Sequence, residues 1–129
     1  MHIDRLDHLV LTVSNIETTC RFYTQVLGMN VVTFGDDRKA LHFGQQKINL
    51  HELGNEIDPK AHHPTVGSAD LCFITTMPLP EVVTHIQSCG VELETGIVSR
   101  TGATGAIRSV YLRDPDGNLL EISNRLSVF

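Results

Sequence analysis

The sequence lacks any apolar run approaching the roughly 18 residues that suggest a membrane-spanning helix. Its opening, MHIDRLDHLV, has no basic stretch followed by an apolar one, so no secretory signal is expected. Cysteine is scarce: Cys20, Cys72 and Cys89 are an odd number without CxxC spacing. That argues against a disulfide framework or a structural zinc knot and for reduced thiols in the cytoplasm. Lys/Arg clusters are also missing. With 10 basic against 15 acidic residues the net charge is −5, so neither nucleic acid nor an acidic membrane is the expected partner. Gly (10) and Pro (5) are not in excess and 41% of residues are hydrophobic, which excludes a disordered or fibrous chain. The 129 residues suit one domain with a core of its own.

What is there is a repeated order of elements. Residues 6–13 are apolar and β-branched, as in a strand. Ser14 and Glu17 have capping-box spacing for a helix starting at Asn15. Ile16, Cys20, Tyr23, Val26 and Leu27 recur at helical spacing, and Gly28 supplies the stop. Strand-like runs follow at 30–34, 39–43 and 47–53, the first two separated by Gly35-Asp36-Asp37. A polar stretch with Pro59 and Pro64 then leads to a second copy of the order. Strands are expected at 69–75, at 91–94 with a continuation at 97–99, at 107–113 and at 118–123; the helix is expected at 80–89 with Gly90 as its stop. The expected class is α+β. One domain, 1–129, is built of two βαβββ modules, 1–54 and 68–129, joined by a linker at 55–67.

Strand parity sorts the side chains. His8 and Asp70 open the first strand of each module on the face opposite Leu9 and Leu71. Matching Leu50-His51 with Leu120-Glu121 makes His51 the partner of Glu121. Two imidazoles and two carboxylates on the inner faces suit a divalent transition metal (Ni, Zn, Mn or Fe) with open positions. Each also has a plainer reading. His8 can pair with Asp7, His51 can point to solvent beside Glu52, and Asp70 can cap a turn. Glu121 is the hardest to explain away, since strand interiors disfavour a carboxylate unless something binds it.

Three segments carry a family resemblance: Asp7-His8-Leu9-Val10-Leu11-Thr12-Val13, then Phe22-Tyr23 through Val26-Leu27-Gly28-Met29, then Arg113-Asp114-Pro115-Asp116-Gly117-Asn118-Leu119-Leu120-Glu121-Ile122. With the paired element order, the chain resembles the vicinal oxygen chelate superfamily, which includes glyoxalase I, fosfomycin-resistance proteins and extradiol dioxygenases. Lys47-Ile48-Asn49-Leu50-His51 and Arg100-Thr101-Gly102-Ala103 bring it nearest to the glyoxalase domain-containing protein 5 type. The resemblance implies curved sheets around a metal, and a homodimer that often swaps modules. The family's first histidine falls on His8 and its last glutamate on Glu121. Its second-module histidine falls on Asp70 and its remaining position on His51, both departures.

The chemistry so implied is a glyoxalase-type lyase or isomerase acting on a small oxygenated metabolite whose neighbouring oxygens chelate the metal. Glu121 is the first candidate to move the proton, and Asp70 the second. Asn49, Arg100 and Tyr111 are candidates for substrate contact; Arg108 has the opposite parity to Tyr111. The loop 100–105 is expected to be flexible enough to cover the site. The alternatives are a fosfomycin-type transfer of thiol or water, and a protein that sequesters a ligand without turning it over.

Overall fold

The computed structural model of the chain describes residues 1–126; the end of the second module, 127–129, lies outside the described residues. The chain divides into two units, Met1–Gly67 and Ser68–Phe129, so the stretch expected as a linker belongs with the first.

Unit one runs β1 (His8–Val13), α1 (Ile16–Gln25), β2 (Asn30–Phe34), β3 (Arg38–Phe43) and β4 (Gln46–Glu52). The sheet order is β1-β4-β3-β2, with β1 parallel to β4 and the other neighbours antiparallel. Alternation sends Leu11, Val13, Leu41, Ile48 and Leu50 to one face, where they are buried along with Tyr23, Val26 and Met29 of the α1 segment. Each such side chain contributes about 1.5–3 kcal/mol by leaving water. The helix start differs from the capping box by one residue. Asn15 is the cap, and its Oδ1 accepts from Thr18 N at 2.9 Å. Glu52 at the end of β4 accepts from Ile16 N at 3.2 Å and so serves a second end amide from across the unit. Gly28 ends the turn at φ +67, as its position suggested.

Unit two repeats the plan: β5 (Asp70–Ile74), α2 (Leu79–Ser88), β6 (Val98–Gly102), β7 (Gly105–Arg113) and β8 (Leu119–Arg125), in the order β5-β8-β7-β6 with β5 parallel to β8. Leu79, Val82 and Ile86 of α2 are buried, as are Val110, Leu112, Leu120 and Ile122 of the sheet. Pro78 gives α2 no side-chain cap. Asn124 of β8 supplies one, accepting from Leu79 N and donating to Thr75 O and Met77 O, each at 2.9 Å.

Two expectations are corrected. Residues 91–94 form no strand. Of their backbone amides only Glu94 N bonds β7 among the described residues, donating to Tyr111 O at 2.7 Å, before the chain bends at 95–97 and the edge is taken up by Val98–Gly102. Residues 100–105 are not a loose loop. Arg100, Thr101 and Gly102 belong to β6, and Gly102 pairs with Gly105 around a two-residue turn. Arg125 donates to Thr104 Oγ1 and fastens the tip. A Cβ on Gly102 would lie 3.0 Å from the Gly105 carbonyl oxygen, so the turn closes tightly only without a side chain there.

The block Asp114-Pro115-Asp116-Gly117-Asn118 acts as a clamp. Asp114 Oδ1 accepts from Asp116 N (2.9 Å) and Asn118 N (3.0 Å), and Asn118 Nδ2 donates to Asp114 Oδ2 (2.8 Å). Asn118 Oδ1 then accepts from Ala69 N at 2.9 Å. Asp114 and Asn118 are both buried. Their bonds join the start of β8 to the start of β5 and so fix the register that places Glu121.

Candidate functional site

In unit two the pairs Cys72↔Glu121, Tyr111↔Glu121, Ser109↔Ser123 and Arg100↔Ile107 put Cys72, Glu121, Ser123, Ser109, Tyr111 and Arg100 on one face, opposite the α2 core. Asp70 shares it by alternation along β5. Arg108, opposite Asn124, lies on the other face, as parity indicated.

Glu121 is half-buried, over two fully buried serines. Ser109 Oγ donates to Glu121 Oε2 at 2.5 Å. Ser109 Oγ also lies 2.7 Å from Ser123 Oγ, which is 3.4 Å from Cys72 Sγ. Each hydroxyl has one proton to give. With the Ser109 proton on Glu121, Ser123 must donate to Ser109, and the Cys72 thiol donates to Ser123. The chain therefore ends on the carboxylate, and such chains strengthen one another. Burial raises the Cys72 thiol above its ordinary value, and the nearby Glu121 carboxylate adds to this. Beside the carboxylate, Arg100 Nε donates to Tyr111 Oη at 3.0 Å, with the guanidinium carbon 5.4 Å from the ring centroid. These two residues, expected as substrate contacts, are therefore coupled to each other.

In unit one, His8 stands at the start of β1 with 45% of its side chain exposed. Its Nδ1 lies 2.8 Å from Asp7 Oδ2. That bond is the main reason the exposed Asp7 carboxyl lies below its ordinary value; burial opposes it slightly. His51 is buried at 4% exposure and lies 3.5 Å from Arg38 Nη2 through Nε2. Burial pushes the imidazole below its ordinary value, Arg38 pushes the same way, Glu56 opposes and Lys60 adds to it. An Nε2 that accepts from arginine is unprotonated, which agrees with that direction.

The register corrects the equivalence drawn from the leucine pairs. In unit two Glu121 stands opposite Cys72; in unit one Asn49 stands opposite Val10, the matching residue of β1. His51 stands opposite Thr12 and matches Ser123. A slip of two residues preserves parity, so the face was read correctly and the position was not. His8 pairs with Lys47, four positions from His51 along β4, about 13 Å at the rise of a strand. The two histidines cannot hold one ion. Among the described residues no group of three or more His, Cys, Asp or Glu could hold a metal. The four residues expected to share a metal therefore do not fit it as a set.

Both units have the order βαβββ with a mixed four-stranded sheet, which defines a glyoxalase-like fold. Residues 5–122 match the Glyoxalase/Bleomycin resistance protein/Dioxygenase superfamily, and the chain belongs to that family. It is 63% identical to "Virulence protein STM3117" of Salmonella typhimurium over 95% of this chain and 85% of that protein. It is 50% identical to "Glyoxalase domain-containing protein RDO1" of Mycosarcoma maydis over 96% of this chain and 70% of that one. The crystal structure of the Salmonella protein superposes with a TM-score of 0.96 at 61% identity, over 98% of this chain and 100% of that chain.

More distant relatives differ in their named activities. A "Metallothiol transferase FosB" of Shouchella clausii is 26% identical over 93% of this chain and 80% of that protein. A lactoylglutathione lyase of Agrobacterium tumefaciens (22% identity, TM-score 0.72, 95% of this chain and 94% of that chain) shares the fold. So does an antibiotic binding protein, TnmS3, of Streptomyces sp. CB03234 (18%, 0.76, 98% of each chain). No helix among the described residues is long and apolar enough to cross a membrane.

Proposed function

We propose that this chain is an enzyme of the glyoxalase type, a lyase or isomerase that moves a proton between adjacent carbons of a small oxygenated metabolite. The observation that supports it best is the state of the Glu121 carboxylate. Ser109 and Ser123 hold its Oε2, at 2.5 and 3.5 Å. A half-buried carboxylate oriented in this way can take a proton and return it. General base catalysis of this kind contributes about 10²–10⁴-fold. Tyr111 lies directly across from Glu121 and is bonded to Arg100, and in this reading its hydroxyl would donate to the oxygen on which charge develops.

The family reading adds a divalent ion and a homodimer, and the scarce, unpaired cysteines support a cytoplasmic location. In unit one His8 is the candidate donor to such an ion; in unit two Glu121 is, with Asp70 on the same face. Asp7 would orient His8 in the manner of carboxylates behind metal-bound histidines. Among the described residues neither unit offers the three donors that usually hold a catalytic transition metal, so the steps above are assigned to the protein's own residues.

A second reading, a ligand-sequestering protein, draws on Asn49, a neutral amide where unit two has a carboxylate. The test offers the protein methylglyoxal hemithioacetal, fosfomycin with a thiol, and neither, with and without added Ni²⁺, Zn²⁺, Mn²⁺ or Fe²⁺. Isomerisation of the hemithioacetal, lost in Glu121→Gln, is the expected result. Turnover of fosfomycin alone would replace the proposal with the transferase reading. No turnover of either would overturn it in favour of the binder.

A further inference from the structure

The α1-free face of unit one holds a polar cluster that the proposed chemistry does not use. Asn49 is 5% exposed, and its Oδ1 is buried without a hydrogen-bond partner. Arg38 Nε is likewise buried and unpartnered. Buried polar atoms in folded proteins are almost always paired, so an orphaned donor and an orphaned acceptor on one face need an explanation. The pairing Ala40↔Asn49 puts Arg38, two residues before Ala40, beside His51 on the same face. Asn49 stands between Ala40 of β3 and Val10 of β1, neither of which can donate to its amide oxygen from its side chain. Phe34 fixes the arginine from the other side, with the guanidinium carbon 4.8 Å from the ring centroid. Arg38 spends Nη2 on His51 and keeps Nε for another acceptor.

We propose that Arg38 and Asn49 form a binding site for a 2-hydroxycarboxylate group: an anionic oxygen on Arg38 Nε–H and the neighbouring hydroxyl donating to Asn49 Oδ1. The charge selects the anion, since arginine is always protonated. The orphaned acceptor selects the hydroxyl, because a plain carboxylate would leave Asn49 Oδ1 unpaired. His51 holds the guanidinium in place as an acceptor. All of these residues lie in unit one and no turnover is involved, so the site stands or falls apart from the role given to Glu121.

The test is titration of the intact protein with glycolate and with acetate, which differ by the hydroxyl, while following the Arg38 Nε–H signal in proton–nitrogen spectra. The signal is assigned by its disappearance in Arg38→Lys. Glycolate should shift it and bind about tenfold more tightly than acetate, the value of one hydrogen bond of about 1.4 kcal/mol. Asn49→Ala should bring glycolate down to acetate's affinity and leave acetate unchanged. An Arg38 signal unmoved by glycolate, or equal affinity for the two acids in the parent protein, would overturn the proposal. The parent comparison decides even where a variant does not fold.

Discussion

Ser109 gives its one hydroxyl proton to Glu121 Oε2, at 2.5 Å, from a fully buried position on the neighbouring strand. Ser109→Ala should therefore cost about 1–3 kcal/mol, the range for leaving a buried partner short of a hydrogen bond. Ser123 already lies 3.5 Å from the same oxygen and should replace part of the loss. Urea unfolding of the two single serine variants and the double variant checks this. The double variant should lose more than the sum of the singles, whereas strict additivity would remove the shared proton chain.

Asp114→Ala should be more damaging than an ordinary turn substitution. It leaves the amides of Asp116 and Asn118 without their acceptor and frees Asn118, which ties β8 to Ala69. A loss of about 2–4 kcal/mol is expected from several buried hydrogen bonds lost together. Thermal unfolding measures it, and a fall within about 0.5 kcal/mol of the parent would show that the clamp is not needed.

The paired order βαβββ was legible because its signals are local: strand-like runs, helical periodicity, and Gly28 and Gly90 at the stops. Both glycines do adopt positive φ. Parity was legible too, and it put His51 and Asn49 on one face. What strand parity cannot give is register, because a slip by two residues looks identical; the equivalence of His51 with Glu121 failed for that reason. The clamp and the Asn124 cap were hidden in a different way. The reach of Asn118 to Ala69 and that of Asn124 to Thr75 and Leu79 go to backbone groups 45 to 49 positions away, which leave no local mark. Residues 91–94 have the composition of a strand, but only one of their amides bonds to the edge of β7.

Stability should depend on pH through His51. Its pKa is lower in the folded protein than the ordinary 6.5, so between the folded and unfolded values the unfolded chain binds more protons. The stability that His51 contributes is present above about 6.5 and is lost as pH falls through the folded value. Denaturation of metal-free protein between roughly pH 4 and 8 should show the decline, and His51→Gln should flatten it. An unchanged slope in that variant would assign the decline to other groups.

Metal uptake separates the two histidines. With His8 and His51 about 13 Å apart along their strands, one ion can use only one of them. Equilibrium dialysis against Zn²⁺ should show reduced uptake in His8→Ala and in Glu121→Gln, and parent-like uptake in His51→Ala. Loss in His51→Ala with parent-like uptake in His8→Ala would reverse the assignment.

The most direct test of the central claim is the rate of hemithioacetal isomerisation by Glu121→Gln, measured beside circular dichroism of the same sample. Glutamine keeps the shape and can still accept from Ser109, but it cannot take a proton from the substrate. The account predicts a native spectrum with kcat lower by about 10²–10⁴-fold. A natively folded Glu121→Gln protein that turns over as fast as its parent would contradict it.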